Sequence, residues 1–63
     1  MNPVDEYLME VGAATADEVL AEVLGSPEDA YARLVALEGA GKVSVRVVYE
    51  GKEVVERLWV WNE

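Results

Sequence analysis

The sequence has 63 residues, contains neither cysteine nor histidine, and carries a net charge of −8. A domain of this length buries only about 60% of the surface that its unfolded chain exposes, so its stability must come from a dense apolar core or from self-association. Disulfide bonds and thiolate metal sites are excluded, and the commonest metal ligand and general base is absent. We therefore expect no metal and no cofactor.

The negative charge is concentrated in the first half of the chain. Residues 1–32 contain eight acidic residues and no basic residue, whereas residues 33–63 contain five of each. A field this negative repels phosphate over most of the surface and works against nucleic-acid binding. Any contact with DNA must therefore use the C-terminal half.

Membrane insertion and export are not expected. The apolar runs are no longer than five residues, whereas a bilayer-spanning helix needs about 20. The acidic N-terminus lacks the basic segment of a signal peptide. We expect a cytoplasmic protein, and the absence of glutamine and cysteine beside abundant valine and glutamate indicates a heat-adapted organism.

The first two predicted elements are short amphipathic helices. Asn2 is the predicted N-cap of helix one, Pro3 takes its first position, and Gly12 ends it. Thr15 and Glu18 have the spacing of a capping box and begin helix two. Apolar residues at helical spacing predict the buried stripes of these two helices: Val4, Tyr7, Leu8 and Val11, then Ala16, Val19, Leu20, Val23 and Leu24.

A third helix follows after a short break. Gly25 ends helix two, Ser26 is the predicted N-cap of helix three, and Pro27 takes its first position. This two-residue break predicts a helix-turn-helix. Helix three ends near residues 39–41, and its predicted inward positions are Ala30, Tyr31, Leu34, Val35 and Leu37.

After Lys42 the apolar period changes from 3.6 to 2, which predicts a hairpin. Glu50-Gly51 is a plausible tight turn, and a second strand extends from about Lys52 to Trp61. An isolated hairpin is marginal in water, so the hairpin must lie on the helices. The first strand is predicted to have one buried face, formed by Val43, Val45, Val47 and Tyr49.

Trp59 and Trp61 share one face of the second strand with Val55 and Arg57. A turn of two or four residues points the tryptophans away from the helices. In that case Val55, Trp59 and Trp61 form an exposed patch suited to a protein interface, since tryptophan is enriched at interaction hot spots. A turn of three residues reverses the faces and places the tryptophans in the core. The sequence leaves both possibilities open.

Taken together, the sequence has a capping box, a glycine turn, a capped third helix, and a leucine-rich helix end that leads into a strand. The residues of this pattern are Thr15, Glu18, Gly25, Ser26, Pro27, Leu34, Leu37, Glu38, Gly41 and Val43. Their order and spacing resemble the winged helix-turn-helix domain family, particularly its small archaeal and bacterial regulators. The resemblance covers roughly residues 4–61.

The resemblance implies an α+β winged helix: a three-helix bundle with a helix-turn-helix and a C-terminal two-stranded wing, in one domain spanning residues 1–63. It also implies a short strand near Ala13–Ala14 that pairs with the hairpin. In DNA-binding members the third helix enters the major groove and the wing touches phosphates. The residues that would contact DNA in this way are Arg33, Lys42, Arg46, Lys52 and Arg57.

Two features of this chain oppose DNA docking. Glu28 and Asp29 lie at the start of helix three, where the helix would meet the DNA. Glutamates also alternate with the basic residues of the hairpin, so cross-strand ion pairs are the alternative role for those bases.

We therefore expect a non-enzymatic interaction module that mediates protein–protein contacts or homodimerisation, and a DNA-binding transcriptional regulator is the alternative. Catalysis is not expected, because Ser26 and Ser44 have no histidine base and a domain this small has little room for a cleft that activates carboxylates. We expect no membrane partner and no small-molecule ligand.

Overall fold

The computed structural model describes residues 1–63, and it has three helices and a three-stranded antiparallel sheet. It therefore belongs to the α+β class. The strands lie in the order β1–β3–β2, so the short strand expected near Ala13–Ala14 is present and pairs with the last strand. None of the helices has the length and apolar character that crossing a membrane requires. The elements are α1 (Pro3–Val11), β1 (Ala13–Ala14), α2 (Ala16–Glu22), α3 (Pro27–Gly39), β2 (Val43–Glu50) and β3 (Glu53–Trp61).

The starts of α1 and α2 follow the predicted capping chemistry. The Asn2 side chain accepts a hydrogen bond from the Val4 N–H at 2.9 Å. Thr15 and Glu18 exchange two hydrogen bonds of 3.0 and 3.1 Å, which completes the capping box. Gly12 ends α1 with φ +85°, a conformation that glycine adopts without strain. Ser26 occupies the N-cap position of α3, although its side chain makes no capping hydrogen bond.

Helix α2 ends earlier than the sequence pattern predicts. It stops at Glu22, and Val23 takes extended backbone angles, so four residues rather than two join α2 to α3. Gly25 has φ +126° and Ser26 precedes a proline, which disfavours helical geometry at both positions. Leu24 therefore lies outside the helix and is 95% exposed, so its predicted burial is wrong.

The core lies between the three helices and the base of the hairpin. Within α3, Leu34 and Leu37 are buried as expected, whereas Tyr31 and Val35 are half exposed on its outer flank. Val11, at the end of α1, is also half exposed rather than buried. The nine buried apolar residues are Val4, Leu8, Ala14, Val19, Ala30, Leu34, Leu37, Val43 and Trp59.

The hairpin has a two-residue turn, yet the tryptophans point inward. Glu50 pairs with Glu53 across Gly51 and Lys52, and a regular ladder from this turn would direct Trp59 away from the helices. The register shifts by one residue between Val48 and Tyr49, because Val55 has no partner on β2. This β-bulge reverses the faces of the rest of β3.

As a result, Trp59 lies opposite Val45 and is only 8% exposed, and Trp61 is partly buried against the core. An exposed interface formed by Val55, Trp59 and Trp61 is therefore wrong for this register. Only Val55 of the three is well exposed.

The hairpin extends well beyond the helices. Nine residues of β3 span roughly 30 Å, and the molecule measures 38 × 24 × 19 Å. Of the eight residues of β2, only Val43 is buried, so the predicted buried face of this strand is confirmed only at its base. The outer half of the hairpin stands in solvent on both faces.

Candidate protein-interaction surface

One face of the projecting part of the hairpin is mostly apolar, and Arg57, opposite Val47, is its single charged residue. Cross-strand partners share a face, so Val47, Tyr49 and Val54 lie on the side that carries Trp59 at the base of the hairpin. Tyr49 is 63% exposed, and the three valines are between 37% and 47% exposed. We call this surface the apolar hairpin face: Val45, Val47, Tyr49 and Val54.

The apolar hairpin face continues towards helix α3 through a shallow groove. The ring of Tyr31 meets that of Trp59 edge to face, with 6.0 Å between centroids and 80° between planes. Tyr31 and Trp59 line the groove together with Val55, the residue of the bulge, and the other half of the lining is polar or charged: Thr15, Asp17, Glu56 and Arg57. Tyr31 remains 49% exposed, and Val35 lies one helical turn away on the same flank of α3. The exposed apolar surface therefore includes the outer flank of α3.

Arg33, the only basic residue on α3, is engaged inside the molecule. Its Nε donates to Asp5 Oδ1 at 2.8 Å, and its Nη2 donates to Asp5 Oδ2 at 2.7 Å. This bidentate geometry occupies the guanidinium N–H donors with which an arginine would recognise guanine. The side chain of Asp5 is only 10% exposed, so the pair joins α1 to α3 at the edge of the core.

The ion pair holds both groups in their charged forms. The hydrogen bond from Arg33 lowers the pKa of Asp5 against the opposing effect of burial, and the charge of Lys42 adds a smaller contribution in the same direction. The same hydrogen bond raises the pKa of Arg33. Arg33 therefore has a structural partner, which removes it from the candidates for base recognition on α3.

The remaining basic residues do not form one patch. Arg46 lies opposite Leu58, whereas Arg57 lies opposite Val47 on the apolar side, so these two arginines occupy opposite faces of the hairpin. Lys52 is in the turn at the far end of the hairpin, and Lys42 lies just before β2, where its charge acts on Asp5. The five candidates for DNA contact are thus spread over the molecule.

The cross-strand ion pairs predicted for the hairpin are also absent. The single salt bridge of the chain is the one between Arg33 and Asp5. Glu56 lies opposite Val48, and Glu50 lies opposite Glu53, so the ladder places no glutamate directly opposite a basic residue. A regular ladder continued from the turn would not form such pairs either, because it would place Arg46 opposite Arg57 and Glu56 opposite Val47.

The side of the molecule formed by α1 and α2 is strongly acidic. Burial raises the pKa of the Tyr7 hydroxyl, and the negative charges of nearby glutamates raise it further. These glutamates are Glu10, Glu18 and Glu22. The acidic residues of this side repel phosphate groups.

Comparison with protein-family models, curated proteins and solved structures finds no match to this chain. The case for function therefore rests on the surface itself. The sequence pattern did not indicate that Val45, Val47, Tyr49 and Val54 are exposed, because alternation alone does not show how far a strand extends past the layer that covers it.

Proposed function

We propose that the chain is a winged-helix-like protein-interaction module without catalytic activity, which binds a second protein chain through the apolar hairpin face. The observation that carries this proposal is the exposure of four apolar side chains on one side of a strand pair that no other element covers. Contiguous apolar surface of this kind marks interaction sites in small domains.

The topology supports the winged-helix part of the proposal. Three helices, a two-residue strand between the first two, and a C-terminal hairpin follow in the order that the resemblance implies. The hairpin corresponds to the wing. The four-residue connection between α2 and α3 is compatible with a helix-turn-helix.

A DNA-binding regulator has less support. Arg33 is paired with Asp5, Glu28 and Asp29 occupy the start of α3, and the basic residues of the hairpin lie on opposite faces. DNA binding draws most of its affinity from a set of phosphate contacts made together. Four exposed basic residues remain as possible contacts, Lys42, Arg46, Lys52 and Arg57, and scattered charges provide little affinity against a net charge of −8.

The proposal is tested by following the backbone amide resonances of the ¹⁵N-labelled chain. We expect increasing protein concentration to shift and broaden the resonances of the apolar hairpin face, and we expect a mixed DNA duplex at low salt to leave the spectrum unchanged. Replacing Val47 and Tyr49 with serine should remove the concentration dependence by deleting apolar contact area.

The matched control is Leu24→Ser, which removes the most exposed large apolar side chain of the chain at a position outside the hairpin. This variant should keep the concentration dependence. If the wild-type resonances are independent of protein concentration while DNA shifts those of Arg46 and Lys52, the interaction-module proposal is wrong and the regulator takes its place.

A further inference from the structure

The outer edge of β2 is open along its whole length. The strand order β1–β3–β2 places β3 on one side of β2 and nothing on the other. Residues 44–50 are all exposed, so no helix or loop covers this edge. The unpaired N–H and C=O groups of such an edge are a template for another strand, and β2 contains no proline or bulged residue that would block pairing.

We propose that the strand added at this edge is β2 of a second copy of the chain, antiparallel and related by a two-fold axis at Val48. The two three-stranded sheets then become one sheet of six strands, and the two apolar hairpin faces become one continuous surface. The inference rests on the proposed function, since it names a second copy as the partner and β2 as the contact.

The charges on β2 select this register. Arg46, Val48 and Glu50 alternate with the apolar residues and share the other face of the strand. An axis at Val48 places Arg46 of each copy opposite Glu50 of the other, so two opposite-charge pairs form by symmetry. An axis at Arg46 would place two arginines opposite each other, which is unfavourable, and an axis at Val47 would form no charge pair.

Both charged residues lack a partner within their own chain. Arg46 lies opposite Leu58, and Glu50 lies opposite Glu53, a like-charge pair next to the turn. Neither residue takes part in a salt bridge. The same axis places Val47 opposite Tyr49 of the second copy, so apolar side chains of the two copies also meet. The edge is therefore self-complementary in charge and in apolar contact.

The test is sedimentation velocity of the full chain across a concentration series, with the single charge reversals Arg46→Glu and Glu50→Arg. Each reversal should weaken dimerisation by roughly tenfold, because it places two like-charge pairs in the interface. The reversals change the net charge in opposite directions, to −10 and to −6 from −8. If net charge alone controlled affinity, Arg46→Glu would weaken the dimer and Glu50→Arg would strengthen it. If the cross-strand ion pairs control affinity, both variants weaken the dimer.

An equimolar mixture of the two single variants should recover the wild-type affinity. In the mixed dimer, the glutamate introduced at position 46 of one chain faces the arginine introduced at position 50 of the other, so both opposite-charge pairs are restored. The double variant Arg46→Glu/Glu50→Arg should dimerise like the wild type for the same reason. Circular dichroism confirms that each variant is folded before its affinity is compared.

Three outcomes would overturn the inference. A wild-type chain that remains monomeric at every concentration excludes the second copy as the partner. If the two single charge variants dimerise like the wild type and Val47→Ser does not, the contact lies on the apolar hairpin face rather than on the edge of β2. The proposed function would then remain valid. Failure of the mixture to recover affinity would exclude the axis at Val48.

Discussion

Asp5 is the one buried charged residue, at the edge of the core, and its contribution to stability depends on Arg33. A carboxylate that is removed from water needs a compensating partner, and the bidentate guanidinium provides two charge-assisted hydrogen bonds. Arg33 was predicted as a DNA contact because the residues of α3 alone include no partner for it. Its partner is 28 positions away, in α1, and no local pattern reports a contact over that distance.

We expect the stability provided by this ion pair to depend on pH. Since folding lowers the pKa of Asp5, the pair stabilises the protein above the ordinary aspartate pKa, and this stability is lost as the pH falls through the lower folded value. Arg33→Met keeps an aliphatic stem but leaves Asp5 unpaired. It should unfold at a lower temperature than the wild type at neutral pH, and the difference should shrink in strong acid, where Asp5 is protonated in both proteins.

Thermal unfolding followed by circular dichroism over a pH series measures this difference. Lys52→Met is the matched control, because Lys52 is exposed in the hairpin turn and takes part in no salt bridge. Its difference from the wild type should be small and nearly constant with pH. A constant difference for Arg33→Met as well would mean that the pair does not control the ionisation of Asp5.

The β-bulge reverses the faces of β3 and so turns the tryptophans inward. Deleting the one bulged residue would remove the bulge and keep every cross-strand pair on either side of it. Val55 has no partner, whereas Val54 and Glu56 on either side of it pair with Tyr49 and Val48. Deleting Val55 therefore gives a regular ladder in which Trp59 still faces the core. We expect this deletion to leave the unfolding temperature nearly unchanged and the tryptophan fluorescence in its buried, blue-shifted position.

Deleting Val48 from the opposite strand is the control for this prediction. That deletion leaves two residues of β3 without partners, and we expect a loss of about 1 kcal/mol or more in unfolding free energy, which corresponds to a decrease of about 4–8 °C in melting temperature. A red-shifted tryptophan spectrum in the Val55 deletion would contradict the prediction, because it would show that the strands pair in another register and expose Trp59.

How well each feature could be predicted depends on how far apart in the sequence the residues that determine it lie. The caps at Asn2 and Thr15 were predictable, because each cap is formed by residues within three positions of one another. The bulge was not, because it depends on how Trp59 and Val43 fill the core at the far end of the hairpin. The end of α2 was predictable only in part. Gly25 and Pro27 indicate a break between the helices, but nothing in the sequence indicates that the helix ends before Val23.

At the scale of the whole molecule, net charge and apolar surface oppose each other in self-association. Two copies of charge −8 at a separation of about 30 Å repel by roughly 9 kcal/mol in water without salt. Screening with a Debye length of about 30 Å at 0.01 M reduces this to about 3 kcal/mol, and a length of about 8 Å at 0.15 M reduces it below about 0.5 kcal/mol. Added salt should therefore tighten the dimer by roughly tenfold to hundredfold.

This salt dependence is measured by repeating the sedimentation series at the two ionic strengths, and it has the opposite sign to that of DNA binding, which weakens as salt is added. Because the repulsion grows with the square of the net charge, Arg46→Glu should show a steeper salt response than the wild type, and Glu50→Arg a shallower one. A wild-type dimer that weakens with salt, while the dimers of both reversal variants tighten, would show that the ion pairs of the β2 edge outweigh the repulsion between the two acidic chains. Association would then depend more on the charges of the β2 edge than on the apolar hairpin face.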